Sequence, residues 1–360
     1  MARRGIVAAG VGAALIGGAA VGFLAERAIV RGRIVPPSVP AEVPLGSIEG
    51  ELSHVDGPDG MRVAVETYGP EGAPQLVLAH GWICTARAWH EVVRRLADQY
   101  RIITYDQPGH GRTGSPASGH YHIDLLGDTL TEVIRTQAGP GPLVVCGHSM
   151  GGMSLLNAAR REPDLVQRRL AGAVLLSTTS KAKGERFGFE LGIRSAARLE
   201  RGIRRVVPTL RDPRVVTAAD RLTASTSDLS YLIARWSGVG PDADPEVVAF
   251  TQEMALSSGS DVVFGLLETV LGVDEDAGLD ALSGVPMTLL VGEQDRITPR
   301  ALTQRMAVRS SARLQEIPGV GHMSLLEAGD VVTDVLVEHL AGRVPRAADP
   351  TPTDRDSASA

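Results

Sequence analysis

The sequence predicts an α/β protein, a largely parallel sheet covered by helices on both faces, with a helical block inserted late in the chain. Three observations carry this. From about Glu51 short apolar runs alternate with stretches of helical periodicity, the order expected when parallel strands are joined by crossover helices. Gln75–Ala79, Ile102–Tyr105, Leu143–Cys146, Ala173–Ser177 and Thr288–Val291 are apolar at nearly every position, which marks strands covered on both faces. Between about Ser180 and Ser283 that rhythm stops, and only helical segments broken by prolines follow.

The elements are justified in chain order as follows. Gly5–Ala25 is an uncharged run of 21 residues, and at about 1.5 Å per residue it is long enough to span a bilayer. Thirteen of the 21 are Gly or Ala, which weakens partitioning into lipid. Arg3 and Arg4 ahead of it look like the start of an export signal, but the small-x-small exit Gly18-Ala19-Ala20 lies inside the run. An uncleaved single-pass anchor leads, with a cleaved signal and a soluble Ala/Gly helix as the other readings. Residues 1–35 are therefore expected to make the protein membrane-anchored or exported rather than cytoplasmic. Arginines on both flanks leave the orientation open. Residues 36–50, with Pro36, Pro37, Pro40 and Pro44, form a proline-rich linker.

Val63–Tyr68 reads as an early strand after the Asp59-Gly60 turn. Ala88–Gln99, Ile123–Gln137 and Met150–Arg161 carry helical periodicity between the later strands. Phe189–Arg205, Thr226–Trp236, Glu246–Leu256 and Val262–Leu271 are helical segments of the block, after which Arg313–Ile317 reads as a strand and Val331–Leu340 as the last helix. The core thus comprises 51–180 and 281–342, interrupted by a helical cap at 181–280 and followed by a disordered tail at 343–360.

Composition narrows the function. With 43% apolar residues, 22% charged residues and a net charge of −6, the 360-residue chain is an ordinary globular one. No basic domain stands out, which argues against a nucleic-acid partner. Cys84 and Cys146 are too few for a disulfide framework or a four-thiolate zinc site, and are expected as small buried hydrophobes. No H-E-x-x-H and no G-x-x-x-x-G-K-[ST] is present, so no metal and no nucleotide cofactor is expected.

The strongest signal is Gly147-His148-Ser149-Met150-Gly151, set directly after the strand Leu143–Cys146 and before a helical segment. Strand, G-x-S-x-G and helix form a nucleophile elbow, a turn so tight that small residues must flank the serine. The turn lifts Ser149 Oγ above the sheet and aims the Met150 amide at a reacting carbonyl. A serine needs a base, and the base needs an acid to orient it. In this arrangement the partners follow in the order serine, acid, histidine, which reduces the nine histidines to His322 and His339. His339 lies mid-helix and is read as a surface or packing residue. His322 sits in a glycine-rich loop after Arg313–Ile317 and is favoured as the base. Asp295, just past Thr288–Val291, is favoured as the acid, with Glu293 as the fallback. The second oxyanion donor is expected from His80-Gly81-Trp82, where the Trp82 amide would join that of Met150.

His80-Gly81-Trp82, Asp106-Gln107-Pro108-Gly109-His110-Gly111, Gly147-His148-Ser149-Met150-Gly151-Gly152, Gly292-x-x-Asp295 and Gly321-His322 occur in an order and spacing that resemble the α/β-hydrolase family over about residues 60–340. The resemblance is to lid-bearing serine esterases and lipases and to cofactor-free haloperoxidases. It implies an eight-stranded, mostly parallel sheet, a helical cap over the site, no cofactor and hydrolysis through an acyl-enzyme. It also implies that His110 braces a structural loop and that His148 points away from the nucleophile. Nothing before about residue 50 belongs to the family's core.

The expected substrate is a small-molecule carboxylic ester. A serine at 149, where an aspartate would signal an epoxide hydrolase or haloalkane dehalogenase, fits acyl transfer. Six of the 13 aromatic residues, Phe187, Phe189, Tyr231, Trp236, Phe250 and Phe264, fall in the cap, which leans the reading toward an apolar or lipid-like acyl group. A haloperoxidase or perhydrolase, a C–C bond hydrolase and a catalytically silent ligand-binding protein are the alternatives. Oligomeric state is left open.

Overall fold

The computed structural model describes residues 43–182 and 227–342. The expectations for 1–35, for the first part of the linker, for Phe187, Phe189 and the helix Phe189–Arg205, and for the tail at 343–360 lie outside the described residues. Among those described, no single helix is long and apolar enough to cross a membrane.

Eight strands make one sheet: β1 (Glu51–Asp56), β2 (Arg62–Tyr68), β3 (Gln75–Ala79), β4 (Arg101–Tyr105), β5 (Leu143–His148), β6 (Leu170–Leu176), β7 (Met287–Gly292) and β8 (Arg313–Ile317). Their order is β1-β2-β4-β3-β5-β6-β7-β8. β2 pairs antiparallel with both β1 and β4, and every other pairing is parallel. β1 carries no continuous apolar run because it is an edge strand, and of its six residues only Val55 is buried.

The helices are α1 (His90–Leu96), α2 (Ile123–Gln137), α3 (Met150–Arg161), α4 (Pro163–Arg169), α5 (Ser227–Ile233), α6 (Pro245–Ser257), α7 (Ser260–Gly272), α8 (Asp276–Ala281), α9 (Arg300–Ser310), α10 (Ser324–Glu327) and α11 (Gly329–Leu340). Successive side chains of a strand point to opposite faces, and here both faces are used. Leu76, Leu78, Val144 and Cys146 pack with Val92, Val93 and Leu96 of α1 and with Val332, Val335 and Leu336 of α11. Val77, Ala79 and Val145 face the other way, toward Leu130, Val133 and Ile134 of α2 and Leu155 and Leu156 of α3. Both cysteines are free and buried, and burial pushes the Cys84 thiol up to about 12 and raises that of Cys146 as well.

α5, α6 and α7 belong to the insertion between β6 and β7, whose two ends are tied together. Lys181 pairs with Asp274 as an isolated bridge, the Ala182 amide donates to Val273 at 3.0 Å, and the Glu275 amide donates to Ser180 at 2.6 Å. Tyr231, Val247, Val248, Phe250 and Met254 join the α1–α11 side. Val262, Leu266 and Val270 join Met150, Met153, Leu125 and Leu126. The insertion is thus seated on both helix layers.

The linker expectation needs correction where residues are described. Rather than running free as a spacer, residues 44–48 form a wedge between core and insertion. The Gly46 amide donates to His90 Nδ1 at 3.1 Å, and Arg87 Nε donates to the Gly46 carbonyl at 3.0 Å. Arg87 also pairs with Glu253 at 2.7 Å and lies over the Phe250 ring at 5.1 Å. Leu45 and Ile48 pack against the same apolar cluster as α1. Apolar side chains so close to the fold bury surface instead of staying in water.

Candidate active site

The sheet order creates the crevice before any side chain is considered. β3 lies between β4 and β5, so the connections leaving its C-terminal end and that of β5 diverge at a topological switch point, where ligands of open α/β sheets bind. Ala79 is in register with Gly147. The loop after β3 therefore meets the turn after β5, so closely that a Cβ placed on Gly81 would lie 3.2 Å from Ser149 Cβ.

Ser149 occupies that turn with φ 52° and ψ −117°, a conformation that costs an L-residue about 1–3 kcal/mol. Its backbone is held on both sides. The Ser149 amide donates to the Leu176 carbonyl at 2.9 Å, while the Ser149 carbonyl accepts from the Gly152 amide at 2.9 Å and from Thr178 Oγ1 at 2.6 Å. Small residues are obligatory beneath the turn: a Cβ on Gly151 would stand 2.1 Å from the Ala79 carbonyl oxygen. Met150 is the first residue of α3, so its amide has no acceptor within the helix and faces the crevice end of the helix dipole.

Asp295 and His322 arrive from neighbouring strands β7 and β8. His322 Nδ1 lies 2.9 Å from Asp295 Oδ2, and both side chains are buried. Asp295 Oδ1 accepts from the amides of Ile297 at 2.9 Å and Thr298 at 2.8 Å, while Oδ2 also accepts from Thr298 Oγ1 at 2.7 Å. A carboxylate so fully supplied with donors is fixed as an acceptor, so the proton between the two residues sits on Nδ1 and leaves the Nε2 lone pair free. Glu293 does not compete. Its carboxylate accepts from the Gly319 amide at 3.2 Å on the exposed side of the loop.

The Ser149 turn is tied to the His322 loop through His148, the residue before the serine. His148 Nε2 donates to the His322 carbonyl at 3.0 Å, and the two rings are 4.9 Å apart. His148 thus faces the base loop. No hydrogen bond joins Ser149 Oγ to His322 Nε2 in this structure. Such bonds are often loose without substrate and tighten in the Michaelis complex.

The Trp82 amide takes its place from two buried imidazoles. His80 donates from Nδ1 to the Gly81 carbonyl at 2.7 Å and accepts from the Gln107 amide at Nε2 at 2.9 Å. His110 donates from Nδ1 to Pro108 at 3.0 Å and accepts the Ile83 amide at 3.1 Å. Asp106 accepts from the amides of Ala86 at 2.8 Å and Arg112 at 2.9 Å. Residues on either side of Trp82 are thereby fixed, and its own ring packs beside Met150 and Met153. Burial lowers the pKa of His80 to about 4 and of His110 to about 3, and pushes that of His148 well below its ordinary value, so all three are neutral at pH 7.

His339 is a packing residue: buried, with Nε2 2.9 Å from Thr288 Oγ1. Thr298 escaped the sequence reading, and of His80 only the motif was read, not the bonds it makes. That role of His80 showed no sign because its partner Gln107 is distant in the chain. Thr298 could have been found from its place three residues after Asp295, where an Asx-type turn returns donors to the carboxylate. Among the described residues no cluster of His, Cys, Asp or Glu is arranged to hold a metal ion.

A strained serine and a buried His–Asp pair stand past the C-terminal ends of strands in one sheet, and that sheet has the alpha/beta hydrolase order. A profile of that family matches residues 76–335, and the chain belongs to it. A putative non-heme haloperoxidase of Mycobacterium phage D29 is 39% identical over 123 residues, covering 34% of this chain and 41% of that protein. A pimeloyl-[acyl-carrier protein] methyl ester esterase of Stenotrophomonas maltophilia (strain R551-3) is 26% identical over 293 residues, 79% of this chain and 98% of that protein. The chain spans less than half the length of the curated relatives matched at 34% identity or above. A solved thermophilic esterase from Thermogutta terrifontis shares the fold with a TM-score of 0.61 at 23% identity, over 82% of this chain and 100% of that one.

Proposed function

We propose that the protein is a serine hydrolase that cleaves a carboxylic ester through an acyl-enzyme. One observation carries the reading: a serine held in a strained turn is followed across the sheet by a histidine hydrogen-bonded to a buried aspartate, the histidine's loop being tied to the serine's turn through His148. In this scheme His322 Nε2 takes the proton from Ser149 Oγ as that oxygen bonds to the ester carbonyl carbon. The carbonyl π electrons move to oxygen, and the Trp82 and Met150 amides stabilise the oxyanion. When the tetrahedral intermediate collapses, the C–O bond to the alcohol breaks and His322 returns the proton to the leaving oxygen. Water, deprotonated by the same nitrogen, then attacks the acyl-enzyme, releasing the acid and regenerating Ser149. Asp295 holds the imidazole and stabilises its charged form.

An apolar acyl group is the finer part of the proposal. It is supported by the apolar cluster that Met150, the residue after Ser149, forms with Met153 and with Val262 and Leu266 of the insertion, against which the part-buried Trp82 packs. Two of the cap aromatics lend it nothing, since Tyr231 and Phe250 are spent on packing against α1. The uncharged run Gly5–Ala25 supports a location at or beyond a membrane. Similarity to a putative haloperoxidase favours a second reading with the same residues, in which peroxide replaces water in the deacylation step.

A single series tests the proposal: p-nitrophenyl esters from acetate to palmitate, with and without hydrogen peroxide, on the wild type and Ser149→Ala. Turnover in Ser149→Ala should fall at least about a thousandfold, with an unchanged circular dichroism spectrum. Retained turnover would sink the mechanism. Preference for acetate would remove the apolar acyl group, and faster acyl release with peroxide would favour the second reading.

A further inference from the structure

Glu327 ends the short helix α10 that follows the base, and its carboxylate joins two segments distant in the chain. One oxygen, Oε2, accepts from the Gly240 amide at 2.7 Å. The Gly321 amide, next to His322, is shared by both oxygens, at 3.1 Å from Oε1 and 3.3 Å from Oε2. Gly240 belongs to a strap, residues 238–241, through which the insertion reaches the core between α5 and α6. The strap lies flat on the base loop: the Met323 amide donates to the Gly238 carbonyl at 2.8 Å, and Arg235 Nη1 donates to the Gly240 carbonyl at 2.6 Å. The backbones touch, leaving a Cβ on Gly321 only 2.3 Å from the Val239 carbonyl carbon, and one on Gly240 only 2.1 Å from the Gly319 oxygen.

We propose that Glu327 is a positioning residue whose carboxylate clips the insertion's strap to the His322 loop, so that the place of the base depends on the insertion being seated. The proposal rests on the serine-hydrolase reading for its kinetic consequence. An ionised carboxylate suits the task because both its oxygens accept and both its partners donate. A glutamine in its place has one accepting end: with its oxygen where Oε2 stands it keeps the Gly240 bond but leaves Gly321 only the longer 3.3 Å approach beside an NH₂ group, and turned the other way it sets that NH₂ group against the Gly240 amide. Side-chain volume stays the same. Glu327→Gln therefore separates the hydrogen-bonding role from simple filling of space, which Glu327→Ala would confound with a cavity.

The full chain and its Glu327→Gln variant are compared in two measurements. In steady-state ester hydrolysis kcat should fall about tenfold with KM within about twofold, because a small displacement of the base removes transition-state geometry and leaves ground-state binding in place. In amide hydrogen exchange, residues 238–241 and 319–323 should both exchange at least about tenfold faster, the two segments losing protection together. An unchanged kcat overturns the positioning role, and unchanged exchange in either segment overturns the clip. A wild type with no Ser149-dependent turnover defeats only the proposed chemistry, since the exchange comparison still decides whether Glu327 joins strap and loop.

Discussion

His80, His110 and His148 spend their imidazoles on geometry, and the protonation state each must keep has a measurable consequence. In each ring one nitrogen donates to a backbone carbonyl, and in His80 and His110 the other accepts a backbone amide. Protonation would turn those two acceptors into donors facing donors. Their folded pKa values, about 4 for His80 and about 3 for His110, lie below the ordinary histidine value, with His148 lower still than normal. The unfolded chain therefore binds more protons than the native one below about pH 6.5. Their contribution to stability is complete above that pH and is lost as pH falls toward 4 and below, at about 1.4 kcal/mol per pH unit for each group that the unfolded chain alone protonates. Thermal melts should give a Tm set by other groups above pH 6.5 and a steep fall between pH 6.5 and 4; a level Tm across that interval would contradict the neutral assignments. At this scale Ser149, Asp295 and His322 were legible because each ends a strand inside a short motif. His80 was not, because its role comes from a backbone amide on another loop.

Elements were legible where burial is two-sided. β3 to β7 appear as apolar runs, whereas β1 follows no such pattern because one of its neighbours is solvent. The expected helix Ala88–Gln99 begins instead as a tight turn at Ala86–Trp89 and ends at Leu96. Periodicity does not show where a chain must bend to reach Arg101 and begin β4. The elbow depends on α3 lying directly on the end of β3, a contact between backbones that leaves no side chain to move aside. Gly151→Ala should therefore cost about 1–3 kcal/mol or more in chemical denaturation. It should also lower kcat, since the Ala79 oxygen it would strike leads straight into the Trp82 loop. A variant with wild-type stability and turnover would show that helix and strand can part without harm.

Over the whole molecule, the insertion was visible in the sequence as a loss of strand rhythm, yet how it is fastened was not. Its ends close on each other at Lys181 and Asp274, its strap rests on the His322 loop, and residues 44–48 wedge its helix α6 against α1. Those wedge residues lie before the core shared by the family and read as mere linker, because nothing in Pro44–Ile48 signals a partner on the far side of the fold. Removing residues 1–50 should destabilise the protein by about 1–3 kcal/mol relative to removing 1–42, through exposed apolar surface and the lost His90 contact. Denaturation midpoints of the two truncations provide the check; equal midpoints would mean that the wedge contributes no stability.

The wedge also sets a load path. From Val43 the chain crosses the seam between insertion and core before it enters the sheet at Glu51. A pull applied at Val43 reaches the Gly46–His90 contact and its Arg87 neighbour first, and the strands bear tension only after these have parted.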